Sequence, residues 1–282
     1  MSNDIEEKKI DVFDNKAYQS IFLYLKKTYK ELHTARYALF YFVRNALRYR
    51  YRRSNLGFLW NILNPLLTMM VMGVAFALVF NRDIKVYLIY LFSGSIPYQF
   101  LNTSIQTATQ SMVSYEPYLK KVNLPKPFFP IVNVSIEIVN FVFMLIALYI
   151  ITLVIGSKFS STVVLLPFAM LILYGFSLGV GMILSVAFVY FRDLSNIVHV
   201  GFTALFYVTP ILYPEDLVPE SLAMVFKFNP ISYFVLLVRR LILGDRPTTL
   251  MDWGIPLIGT LIVLLIGTIV MMKKDREIVY RL

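Results

Sequence analysis

Apolar residues in this chain gather into six runs, at about residues 62–80, 86–107, 129–155, 163–190, 197–213 and 253–272. A helix needs about 20 mostly apolar residues to cross the hydrocarbon core of a bilayer. The pattern therefore predicts an all-α integral membrane protein with six transmembrane helices. The fifth run is interrupted at its end by Thr209-Pro210 and Pro214. After it come two shorter apolar patterns, residues 217–228 and 231–243, split by Asn229-Pro230. Each is too short to span, so they predict an external re-entrant helical hairpin between helices 5 and 6, shielded by protein. Ahead of the first run, residues 36–53 contain no Gly or Pro and mix Leu39, Phe40, Phe42, Val43 and Leu47 with arginines. Arg44, Arg48 and Arg52 recur at every fourth position, which aligns them along one helical stripe. This predicts an N-terminal amphipathic interfacial helix in the headgroup plane, with Trp60 anchoring the start of the first span. The alternative is a charge cluster that only sets topology. Residues 1–34 read as a cytoplasmic N-terminal extension and residues 35–282 as one membrane domain.

Charge turns these runs into a topology. Twenty of the 27 Lys and Arg residues fall on the side that holds both termini, and seven fall on the other. The positive-inside rule then places both termini in the cytoplasm. A net charge of +10 by itself would suit a nucleic-acid partner. In a chain that is 58% hydrophobic and 16% charged, it fits loops facing anionic headgroups, and no nucleic acid is expected. The N-terminus is polar and mixed in charge, unlike a cleaved signal peptide. With no cysteine, disulfides and thiol chemistry are excluded.

Polar residues inside the runs are the candidate chemistry. The second run ends in Gln99, Asn102, Thr103, Gln106, Thr109 and Gln110. Polar groups facing lipid are costly, so these should face protein or water. They read as a hydrated pathway for sugar hydroxyls or as ordinary interhelical hydrogen bonding. The third run carries Asn133, Glu137 and Asn140 on one face. Glu137 suits a channel wall, a structural partner for a nearby cation, or a proton-coupling site. Gly175, Gly179, Gly181 and Ser185 have the small-residue spacing of close helix packing. Between the second and third runs, Pro117 and the pair Pro125 and Pro127 bracket a short helix over about residues 115–123. Its residues Tyr115, Glu116, Tyr118, Leu119, Lys120 and Lys121 suit docking to a motor. Arg239 and Arg240, with Tyr233, Asn229 and Pro230, belong to the hairpin. These two arginines would meet anionic lipid or lipid-linked phosphate, or anchor the hairpin at the interface. No Gly is followed by Lys, so a G-x-x-x-x-G-K-[ST] phosphate loop is absent. With His33 and His199 alone and no Cys, a zinc site is not expected, and no cofactor is assigned to this chain.

In series, these segments resemble the membrane subunit of type-2 ABC exporters of polysaccharide, the O-antigen, capsule and teichoic acid permeases. The matching pieces are Arg50-Tyr-Arg-Arg-Ser-Asn-Leu-Gly-Phe-Leu-Trp60 with Asn64-Pro-Leu66, Gly94-Ser-Ile-Pro-Tyr98, Leu119-Lys-Lys-Val-Asn-Leu-Pro125, Tyr190-Phe-Arg-Asp-Leu194, and Pro210-Ile-Leu-Tyr-Pro214 with Asn229-Pro230. The resemblance implies a homodimer in the bacterial cytoplasmic (inner) membrane, with two copies of a cytoplasmic ABC ATPase holding ATP and Mg. It implies a polymer carried on undecaprenyl diphosphate through a channel at the dimer interface. It makes the polar half of the second run a channel wall, residues 115–123 a coupling helix, and the hairpin an external gate. Arg44, Arg48, Arg50, Arg52 and Arg53 become candidates to meet the lipid diphosphate. The alternatives are a type-2 ABC permease for drugs or lipids, or an ion-coupled transporter using Glu137. The second of these usually shows two related halves, and none is visible here.

Overall fold

A computed structural model of the protein describes residues 21–49, 59–156, 160–213 and 228–282. These residues are all-helical, with no strand among them. The order is α1 Ile21–Thr34, α2 Arg36–Tyr49, α3 Trp60–Val79, α4 Ile84–Thr109, α5 Ser111–Ser114, α6 Glu116–Lys121, α7 Phe128–Ile155, α8 Leu166–Tyr190, α9 Leu194–Val208, α10 Pro230–Leu243 and α11 Leu250–Arg281. A single 3-10 segment, Ser161–Leu165, leads into α8. Arg50, Arg52, Arg53 and the first half of the expected hairpin lie outside the described residues.

Three stretches are long and apolar enough to cross a membrane: Phe128–Ile155, Ser161–Tyr190 and Leu250–Asp275. Two shorter apolar helices, Leu63–Val79 and Leu194–Val208, accompany them. Helix α4 has 26 residues but loses apolar character after Pro97. It nonetheless sits at the centre, packing against α3, α7, α8, α9 and α10. The broadest packing is between α8 and α11, and small residues create it. A Cβ on Gly179 would lie 2.7 Å from the backbone of Val263 and Leu264, so only glycine lets the two backbones approach this closely. Thr260 Oγ1 donates to Ile172 O at 3.1 Å across the same seam. Gly181 faces α4 instead, against Ala108. The small-residue spacing is thus spent within one chain.

Two helices extend beyond their expected bounds. Helix α1 occupies part of what reads as a polar extension, with Tyr24 and Thr28 buried and contacts to α2 and α11. Helix α11 runs past residue 272 to Arg281. There Lys274 Nζ donates to Glu277 Oε2 at 2.7 Å and Tyr190 Oη donates to the same oxygen at 2.8 Å. These partners pair the charges of a helix end whose sequence looks like a solvated tail.

Candidate functional site

The site starts from the break after α9. Pro210 has no N–H to continue the helix, and the chain leaves helical geometry at Thr209. Four successive carbonyls, those of residues 210 to 213, would then be orphaned in apolar surroundings, where an unmet carbonyl is expensive. Each accepts from a side chain. Arg239 Nη1 donates to Pro210 O at 2.5 Å, and Arg239 Nη2 donates to Ile211 O at 3.2 Å. Tyr87 Oη donates to Leu212 O, and Tyr90 Oη donates to Tyr213 O at 3.0 Å. Arg239 is 3% exposed, and its guanidinium lies 3.9 Å over the Tyr90 ring. Gly94 on α4 makes room for it: a Cβ there would lie 2.0 Å from Arg239 Nη2. Asn229 caps α10 by accepting from Ile231 N at 3.0 Å, and it donates to Thr209 Oγ1 at 2.9 Å.

Arg239 and Arg240, read as meeting anionic lipid or lipid-linked phosphate or as anchoring the hairpin, both have partners within the chain. Arg239 is turned inward onto backbone carbonyls, and Arg240 pairs with Asp252 at the N-terminus of α11. Tyr233 is partly buried on α10. Gly244, with φ of 64°, ends α10 in a left-handed turn where another residue would be strained.

Below this break, two cavities flank the polar face of α4. One of 310 Å³ is lined by Gln99, Thr103, Gln106, Glu137 and Asn140 among others. The second, of 420 Å³, is lined by Asn64, Thr68, Tyr98, Asn102, Phe202 and Phe206 among others. The two linings share Pro65 of α3 and Gln99 of α4. Within them, Gln106 Nε2 donates to Asn102 Oδ1, and Asn140 Nδ2 donates to Glu137 Oε2 at 2.8 Å. The i, i+4 and i, i+3 spacing of these pairs keeps each donor beside its acceptor on one helix face.

Not every expected wall residue is there. Thr109 is fully buried, and its hydroxyl donates to Ile105 O at 2.7 Å. Gln110 reaches Ser195 Oγ at 2.8 Å. Asn133 Nδ2 donates to Thr107 O at 2.8 Å, joining α7 to α4. Gln110 and Asn133 thus join separate elements, Thr109 bonds within α4, and none of the three lines either cavity. Conversely, Asn64 and Thr68 of α3 and Phe202, Thr203 and Phe206 of α9 line the second cavity and were missed. Asn64 and Thr68, four apart in an otherwise apolar run, were the available signal.

At the end of the bundle near residues 110–128, α2 and α6 form one aromatic cluster. The Phe42 ring meets Tyr118 at 5.0 Å, Phe128 at 5.4 Å and Tyr115 at 5.9 Å, all edge-on. Tyr115 stacks on Phe129 at 5.3 Å. Burial, with Tyr118 beside it, holds the Tyr115 hydroxyl above the ordinary tyrosine pKa. Helix α6 buries Leu119 and leaves Tyr118, Lys120 and Lys121 exposed, with Glu116 accepting from Lys120 Nζ at 2.6 Å. Beside it, Arg44 and Arg48 of α2 edge an apolar groove against Ile138 and Phe143 of α7. Trp60 is exposed at the start of α3.

Residues 37–243 match the family described as ABC-2 type transporter. The chain is 32% identical over 199 residues to an O-antigen export system permease protein of Klebsiella pneumoniae, covering 70% of this chain and 77% of that protein. A protein of the same name from Myxococcus xanthus is 33% identical over 203 residues, 71% and 78% of the two chains. A polysialic acid transport protein of Escherichia coli is 25% identical over 228 residues, 78% and 87% of the two chains. The matched span runs from α2 to the end of α10 and so takes in the paired cavities, the aromatic cluster and the Arg239 contacts at the break after α9. A match over most of the chain, joined by relatives above 30% identity, makes this protein a member of the ABC-2 type transporter family.

Proposed function

We propose that this chain is the permease subunit of an ATP-driven exporter that moves a polysaccharide on an undecaprenyl diphosphate carrier across the bacterial inner membrane. One observation carries this reading: the paired cavities on the polar face of α4. Gln99, Asn102, Thr103 and Gln106 offer amides and hydroxyls, while Tyr98, Phe202 and Phe206 offer ring faces. A sliding sugar chain needs both, exchangeable hydrogen bonds and surfaces on which pyranose rings stack. A wall for drugs or lipids would have fewer amides. The names of the relatives, O-antigen export permease and polysialic acid transport protein, support polysaccharide as the cargo.

The rest of the assembly follows from the same reading. Three further spans, α3, α4 and α9, join the three long apolar helices to make six. At about 1.5 Å per residue, the 26 residues of α4 reach about 39 Å, enough to cross. Both termini lie in the cytoplasm, where α6 docks one of two ATPase subunits and a second copy of this chain completes the channel. The absence of a phosphate loop from the sequence supports a motor carried on a separate polypeptide. Helix α10 belongs to the external gate. The test is reconstitution with a cognate ABC ATPase, in nanodiscs, measuring ATP hydrolysis with and without lipid-linked polymer. Co-purification and polymer-stimulated hydrolysis are expected. A permease that binds no ATPase, or hydrolysis indifferent to polymer, would refute the proposal.

A further inference from the structure

A groove of 850 Å³ runs between α2 and α7. On the α2 side, Leu39, Val43 and Leu47 recur every four residues, which puts them on one face. Arg44 and Arg48 follow the same spacing beside them, exposed at the rim. The α7 side is Ser135, Ile138, Val139 and Phe143, again one helical face. The groove offers little to a sugar. Ser135 is its one uncharged polar side chain, and that hydroxyl is engaged with Tyr174 Oη at 2.9 Å. The arginines are not spent on protein charge. Helix α2 carries no carboxylate, and Glu137 of α7 lines the α4 cavity, not this groove. Among the described residues no carboxylate forms an ion pair with Arg44 or Arg48. At about 1.5 Å per residue, the α7 side spans about 12 Å. That is close to the depth of one leaflet of a hydrocarbon core about 30 Å thick.

We propose that the α2–α7 groove binds an anionic phospholipid, with an acyl chain along the apolar trench and the phosphate on Arg44 and Arg48. The apolar walls suit the chain, and two guanidinium groups suit the head, since arginine donates paired N–H groups to phosphate oxygens. The groove favours a phospholipid over an undecaprenyl carrier, whose chain is several times longer than the trench. The occupant has a structural consequence. It lies between α2 and α7, while Phe42 on α2 holds Tyr115 and Tyr118 at the start of α6. A bound lipid thus props the helix that supports α6. The site needs only a membrane around the chain, so it is independent of the polysaccharide reading.

The experiment titrates the full chain, in mild detergent, with phosphatidylglycerol or with phosphatidylcholine of the same acyl chains. Retained lipid is counted by native mass spectrometry. An arginine beside an anionic head contributes about fivefold in affinity, so wild type should prefer phosphatidylglycerol by about thirtyfold. Arg44→Gln or Arg48→Gln should cut that preference about fivefold, and the pair together should reduce it to within about twofold of none. Arg36→Gln is the control, because Arg36 lies on the same helix but outside the groove, against His33 and Tyr37. It should change the preference by less than about twofold. Val43→Trp, which fills the trench and leaves both arginines, should also lose the retained phosphatidylglycerol. Equal retention of the two lipids by wild type would overturn the proposal. So would a loss in Arg36→Gln as large as in Arg44→Gln, which would mean attraction to the whole helix rather than a site. Displacement of phosphatidylglycerol by an equal amount of undecaprenyl phosphate would assign the groove to the carrier and overturn it as well.

Discussion

Arg239 and Gly94 form a matched pair. The guanidinium satisfies two of the four carbonyls exposed where α9 ends, and the absence of a Cβ on Gly94 lets it lie there. Hydrogen bonds to charged groups contribute about 1.5–3 kcal/mol each, more than neutral ones. Arg239→Met should therefore destabilise the protein by roughly 3 kcal/mol or more, seen as a lower melting temperature in detergent. Gly94→Ala should displace the same guanidinium, so the double variant should lose much less than the sum of the two single losses. Additive losses would separate the two positions. The sequence marked Arg239 as a cation beside a hairpin but not its direction. That depends on Tyr87 and Tyr90, about 150 positions away, leaving carbonyls for it to meet. Glu137 was more legible, since a lone carboxyl in an apolar run stands out whatever its neighbours.

Helix bounds set by apolar runs were readable to within a few residues, as α3, α4, α7 and α8 illustrate. Bounds set by tertiary partners were not. Helix α1 and the end of α11 are polar by pattern and gain their helical form from each other, α2 and Tyr190. The short helix between the second and third runs was visible from its prolines, and α6 occupies residues 116–121 of it. What the pattern could not supply was Phe42, whose ring ties α6 to α2 at 5.0 Å from Tyr118. Two predictions belong to this element. Reversing the exposed charges with Lys120→Glu and Lys121→Glu should abolish co-purification of the ATPase. Phe42→Ala removes three edge-on contacts, each worth about 0.5–1.5 kcal/mol. It should preserve ATPase association but cut polymer-stimulated hydrolysis several-fold. Unchanged stimulation in Phe42→Ala would detach α2 from coupling.

At the scale of the whole molecule, the proposal is a cytoplasm-facing charge asymmetry, a bundle centred on α4, and a polar wall for sugar. The charge asymmetry comes from where Lys and Arg fall between the apolar runs, while the wall was half legible. Gln99, Asn102, Thr103 and Gln106 could be read from α4, but the aromatic side needed the approach of α9, which no local pattern announces. Because the chain has no cysteine, single introduced cysteines report cleanly. Asp275→Cys should react with an impermeant maleimide from the cytoplasmic side and Asp245→Cys from the outside. The opposite pattern would invert the topology. The most direct measurement of the central claim is accessibility at Asn102→Cys during export by the complete transporter. The account predicts that a bulky thiol reagent at this position blocks polymer export, and that lipid-linked polymer in transit slows the modification. Export that continues at the normal rate with Asn102→Cys fully modified would contradict it.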